Sequence, residues 1–181
     1  VIFDNDNLID TGSNNTMTLS IINMKNEEFN YSIKLEELDE NFRKDILSVN
    51  DKVEAKMKEL RVADAIDELL ELFRRSNKYI DETTPWTLAK DPYASERLGT
   101  VLYNLVESLR FASVLLSAFL PETSKKINEQ INATNITFES LNSFDGTVVG
   151  TKVQKGEALF PRIDVDKKLA ELEALREAQL S

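Results

Sequence analysis

The sequence contains no cysteine and no histidine. The first absence excludes disulfides and thiolate metal sites; the second removes the commonest general base and metal ligand. Five glycines and four prolines in 181 residues leave little turn material, which points to long helices. No apolar run approaches the roughly 20 residues of a membrane helix. The start, VIFDNDNLID, lacks the basic segment and apolar core of a secretory signal. A cytoplasmic setting fits both. Basic charge is also scarce: 22 Lys and Arg against 32 Asp and Glu give a formal net charge of −10. Generic binding to a polyanion is driven by Lys and Arg displacing counterions, so this balance argues against it. Any contact with nucleic acid must then be local, or borrow basic surface from another domain. Gly146 and Gly150 lack the Lys-Ser/Thr and the helix of a phosphate-cradling loop. The serines have no histidine to activate them. Residue chemistry alone supports a soluble all-α bundle with no catalytic residue and no metal site.

What is present is helical periodicity. Phe42, Ile46, Val49, Val53, Met57 and Leu60 recur at three- and four-residue steps from Leu38 to Leu60, with Asp39, Lys44, Asp51, Lys52, Glu54 and Lys58 on a face read as solvated. Val62, Ala65, Ile66, Leu69, Leu70, Phe73 and Ile80 predict a second helix to about Asp81, with Arg74-Arg75 complementing its dipole. Pro92 is read as opening the longest helix, a central rod apolar on most sides and ended by Pro121. A short helix follows to Ile131, with Leu120 and Ile127 facing inward. Residues 132–163 read as irregular, with a small strand pair at Ile136–Phe138 and Thr147–Val149 and an extended clasp, GTKVQKGEALFPRID. Asp164 is the expected N-cap of a C-terminal helix whose Val165, Leu169, Leu172 and Leu175 are spaced to dock. Residues 1–30 are least legible; a first helix is expected to start near Ser13 to Thr16. The fold class is therefore an antiparallel bundle of about five helices over residues 1–163, with residues 164–181 as docking helix or linker.

The organising stretch is NKYIDETTPWTLAKD, residues 77–91, which holds the sole tryptophan, Trp86, directly after Pro85 at a helix corner. Such a ring either seals a core or stacks on something from outside. This stretch, followed by ERLGTVLYNLVESLRFASVLLSAFLPETSKKI and then GTKVQKGEALFPRID, resembles the anticodon-binding domain of bacterial methionyl-tRNA synthetases over about residues 60–164. The resemblance implies an all-α bundle that follows the catalytic domain in cis and reads the CAU anticodon loop of methionine tRNA. It also implies a parent methionine–tRNA ligase whose ATP-using catalytic domain, with its HIGH-type and KMSKS-type motifs, is not in this chain. No cofactor, DNA or membrane partner is implied for the chain itself.

In that family the tryptophan of the Pro-Trp pair stacks on an anticodon base, a role that carries over to Trp86, with Pro85 fixing the chain direction. The family's other contact lies in a GNLLNRTxSMIN-like first helix. Here the match is Gly12 to Asn23, but Ser13 stands where Asn is expected and Met17 where Arg is expected. Met cannot make the charge-assisted bidentate bond of Arg, so that role is carried onto no residue. Two other readings remain open at this point. One is a structural or protein-interaction bundle with Trp86 buried. The other is the related bundle of another class I synthetase, against which the TPWTLAKD and LFPRID wording speaks.

Overall fold

Glu36 and Asp39 begin the bundle: the Glu36 N–H donates to Asp39 Oδ2 at 2.8 Å, so a side chain three residues on satisfies the helix entry. Acidic residues fill the first turn of the helix that follows and Lys56 and Lys58 its last, in the sense that the helix dipole favours. The computed structural model describes residues 2–3, 16–22, 28–148, 151–160 and 162–180. Its helices are α1 (Glu37–Lys58), α2 (Val62–Thr83), the single-turn α3 (Pro85–Leu88), α4 (Ser95–Leu116), α5 (Pro121–Ile131) and α6 (Val165–Leu180). The all-α bundle expected from periodicity is present. α1 packs against α2, and α4 against α2 and α5.

The core follows the stripes, with changes of register. On α1, Phe42, Ile46, Val49 and Val53 are buried, but Met57 is partly exposed. Leu60 lies beyond the helix end at φ 60°, almost wholly exposed. On α2 the buried line is Ala65, Leu69, Leu72, Ser76, Tyr79 and Thr83, so Val62, Ile66 and Leu70 lie on an exposed flank. Pro92 does not open α4. It sits in a turn in which Tyr93 N–H donates to Asp91 Oδ1 at 2.9 Å, and the helix starts at Ser95. Nor is α4 the longest, since α1, α2 and α4 each have 22 residues. Leu120 is exposed because it caps α5 rather than lying on its inner face; Ile127 and Ile131 fill that face.

Two expectations about strands and helices are corrected. Before the bundle, β1 (Ile2–Phe3), β2 (Thr16–Ile22) and β3 (Glu28–Lys34) form an antiparallel sheet in the order β1-β2-β3. The first helix expected from Ser13 or Thr16 is therefore a strand over 16–22, with Met17 opposite Ile33 and Leu19 opposite Tyr31. β-branched Thr and Ile favour extended backbone here, and Phe29, Tyr31 and Ile33 alternate with polar residues at period two. Gly12, Ser13, Asn14, Asn15 and Asn23 lie outside the described residues. Conversely, the strand expected at Ile136–Phe138 is absent: Phe138 starts a 3-10 turn, Phe138–Asn142, whose N-cap Thr137 accepts from Ser140 N–H through Oγ1 at 3.3 Å. Thr147 and Val148 form no strand, and Val149 lies outside the described residues.

A buried ion pair holds this irregular segment to α4. Glu107 and Arg110 are both fully buried, with Arg110 Nη2 2.6 Å from Glu107 Oε1 and Nε 3.0 Å from Oε2. The rest of the guanidinium reaches Asn135 O at 3.0 Å, Ser140 Oγ at 2.6 Å and Ser140 O at 3.1 Å. Glu107 accepts in turn from Gly146 N–H at 2.9 Å and from the Thr147 hydroxyl. A Cβ at Gly146 would fall 2.4 Å from Arg110 Cζ, so only glycine lets the backbone come this near. The clasp is less apolar in its contacts than its sequence suggests. Gln154 N–H bonds Gln130 O at 2.6 Å and Leu159 packs on the core, but Phe160 is exposed. Asp164 caps α6 as expected, accepting from Lys167 N–H at 3.1 Å. Val165, Leu169, Leu172 and Leu175 are all exposed. Ala170, Ala174 and Ala178 dilute the contrast between faces, so α6 has no single strong side.

Candidate nucleic-acid interface

The corner after α2 is built from backbone punctuation. Thr83 hydroxyl donates to Tyr79 O at 2.6 Å in the last turn of α2. Thr84 then takes the left-handed conformation, φ 43° and ψ 60°, and ends the helix with its N–H on Ile80 O at 2.9 Å. Pro85 restarts the chain at the first position of α3, where its missing N–H costs nothing and its fixed φ suits the turn. Ala89 N–H closes back on Pro85 O at 2.9 Å. Leu88 turns toward the core, and Trp86 is left 52% exposed. Trp86 therefore does not seal the core, which disposes of the reading in which it is buried. Pro85 lies partly buried beside it.

A second ring, Tyr93, is 96% exposed in the turn before α4. Sequence reasoning passed it over, although an aromatic between a proline and a helix start, off every apolar stripe, was a usable signal.

The helices on either side of the corner, α2 and α4, meet α1 in a buried polar network that periodicity also missed. Asp39, assigned above to the solvated face of α1, is fully buried. It accepts from the Tyr79 hydroxyl and from Arg97 Nη1 at 2.5 Å. Arg97 Nε also pairs with Glu36 at 3.3 Å. Asn104 Nδ2 donates to Tyr79 Oη at 2.8 Å, and Arg43 Nε donates to Asn104 Oδ1 at 2.9 Å. The signal was positional. Asp39 extends the stripe 42–46–49–53 backwards by three residues, so a charge there sits on the buried register. Arg75, assigned above to the helix dipole, instead bonds Asp45 at 2.7 Å and Glu82 at 3.2 Å. No group of three acidic residues that could hold a metal occurs among the described residues.

Burial, and then the bond to Asp39, push the Tyr79 hydroxyl well above its ordinary range. Burial, then the charge of Glu107, do the same to Tyr103. The folded value lies above the unfolded value, so the neutral form contributes stability that is fully present below about pH 10 and is lost as pH rises toward the folded pKa. Urea midpoints are therefore expected to hold steady to about pH 9 and to fall beyond about pH 10. Tyr103→Phe should shallow that fall at little cost near neutrality, because the Tyr103 hydroxyl has no partner among the described residues. A midpoint that stays flat through about pH 11 would contradict this.

The corner thus presents an exposed indole on a single helical turn between α2 and α4. The family model described as the anticodon binding domain of methionyl tRNA ligase matches residues 32–176. The methionine–tRNA ligase of Clostridium acetobutylicum is 55% identical over 145 residues, which are 80% of this chain and 22% of that protein. That of Clostridium perfringens is 60% identical over 132 residues, 73% of this chain and 20% of the relative. Among solved structures, the free form of Mycobacterium tuberculosis methionyl-tRNA synthetase superposes with a TM-score of 0.67 at 21% identity, over 72% of this chain and 27% of that one. This last likeness speaks to the fold alone. The chain belongs to the family of methionyl-tRNA ligase anticodon-binding domains. It spans about a fifth of the length of the curated relatives it matches. The family match begins at residue 32, so it reaches neither Ser13 nor Met17.

Proposed function

We propose that this chain receives the anticodon loop of methionine tRNA, with Trp86 stacking on an anticodon base and Pro85 holding the direction of the chain at that point. The chemistry of the parent protein is then ATP-dependent aminoacylation by a methionine–tRNA ligase, carried out in a catalytic domain in cis, in the cytoplasm. The observation that carries the reading is the exposure of Trp86, at 52%, on a helical corner of a chain of this family. Splaying a loop base onto an aromatic face is the common way of reading single-stranded RNA. The acidic balance of the chain fits recognition by a local site in place of a broad phosphate-binding surface.

Stacking of this kind is worth about 1–3 kcal/mol. Trp86→Ala is accordingly expected to weaken binding of an RNA hairpin with a CAU loop by roughly five- to a hundred-fold. Trp86→Phe should retain part of the affinity. Far-UV dichroism should stay unchanged, because the ring contributes little to the core. Fluorescence anisotropy of a labelled hairpin, against a scrambled loop, measures both affinity and discrimination. Equal binding of the two loops, or no loss on Trp86→Ala, would refute the reading.

A further inference from the structure

We propose that Asp39 is a positioning residue for Trp86; the consequence for RNA rests on the reading of the corner as a base-stacking site. The segment that carries Pro85 and Trp86 runs between Tyr79 on α2 and Arg97 on α4. Both residues close on the same buried carboxylate: Tyr79 through its hydroxyl on Oδ1, and Arg97 through Nη1 at 2.5 Å on Oδ2. The corner is thus a span whose two feet stand on one side chain of a third helix. That side chain is itself fixed, because Asp39 Oδ2 also accepts from Glu36 N–H at 2.8 Å. Asn104 Nδ2 ties the two halves of the grip, 2.8 Å from Tyr79 Oη and 3.4 Å from Asp39 Oδ1.

Capping α1 needs only the bond from Glu36. A fully buried carboxylate that gathers a phenol, a guanidinium and an amide from two other helices goes beyond that need, because burying a charge is costly unless it is paired. The product of the arrangement is a fixed mount for an exposed ring. A ring held in place before its ligand arrives loses less freedom on binding.

Trp86 is the sole tryptophan, so its emission reports on the corner of the 181-residue chain directly, without RNA. Asp39→Asn keeps the side-chain shape and weakens the hold on Arg97. Arg97→Gln, at a side chain 19% exposed, serves where Asp39→Asn is too unstable to fold. At temperatures where the far-UV dichroism matches the parent chain, both variants are expected to lower the anisotropy of Trp86 and raise its quenching by acrylamide. Affinity for the CAU hairpin should fall about ten-fold. That loss should vanish in a Trp86→Ala background, whereas any loss of thermal stability remains. Unchanged anisotropy and quenching in folded Arg97→Gln would overturn the proposal, with or without RNA binding. An affinity loss that persists in the Trp86→Ala background would overturn the route through Trp86. A loosened Trp86 in a chain whose affinity is indifferent to Trp86→Ala would overturn the stacking reading alone and support the positioning of the ring.

Discussion

Replacing Arg110 by Met is expected to lower the unfolding free energy by about 3–5 kcal/mol, which is a large part of the stability of a typical domain. Arg110 is fully buried, and its loss strands Glu107, also fully buried, without its cation. It also leaves the Ser140 carbonyl without the Arg110 donor and the Asn135 carbonyl with the Ser140 hydroxyl alone. The penalty comes mainly from the charge left without its cation, since an intact buried pair is worth little against an apolar substitute. Glu107→Gln in the Arg110→Met background should therefore recover part of the loss, although the bonds from Gly146 and Thr147 hold it below the parent. Urea unfolding followed by far-UV dichroism measures all three chains. A single-variant loss under about 1 kcal/mol would mean that the pair is not the anchor described.

Phe42→Ala should cost about as much, roughly 3–5 kcal/mol, by a different mechanism. Phe42 has no exposed surface; it stacks on Tyr79 with ring centroids 4.1 Å apart and meets Phe144 edge-on at 6.3 Å. The Arg75 guanidinium lies over the ring, 5.1 Å from its centroid. Removing the ring opens a cavity between α1, α2 and the irregular segment, three bodies that cannot close on it together without disturbing one another. Phe42→Leu, which keeps most of the volume, should lose much less. A similar loss in both variants would point away from cavity formation and toward ring stacking as the main contribution.

The periodicity of the sequence made the helices of the bundle legible, along with Phe42, Ile46, Val49 and Val53 as core, because an apolar stripe is a local signal. The corner was legible too: Thr84, Pro85 and the break in pattern mark where α2 stops. What a stripe cannot show is the partner of a polar residue. Asp39 looked like surface because its charge suits water, and its partners Tyr79 and Arg97 lie far along the chain. Tyr103, Asn104, Glu107 and Arg110 were hidden on α4 for the same reason, since leucines nearby suggested an apolar rod. The exposure of Trp86 depends on how one turn of helix is rotated, which its spacing leaves open. The strand β2 was misread as helix because Leu19 and Ile22, three residues apart, also fit a period of 3.6.

The polar side of α4 also determines how far that helix can slide. Two helices that meet through leucines alone can shift past one another with modest loss, because one apolar side chain replaces another in the groove. Moving α4 by one turn, about 5.4 Å, would part Asp39 from Arg97 and Asn104 and Glu107 from Gly146. Asp39 would keep the Tyr79 hydroxyl and the Glu36 N–H but lose its cation, and Glu107 would keep Arg110 but lose its tie to the irregular segment. The seam acts as a detent. It gives α4 one permitted depth against α1, and so gives the turn ahead of α4 one permitted height.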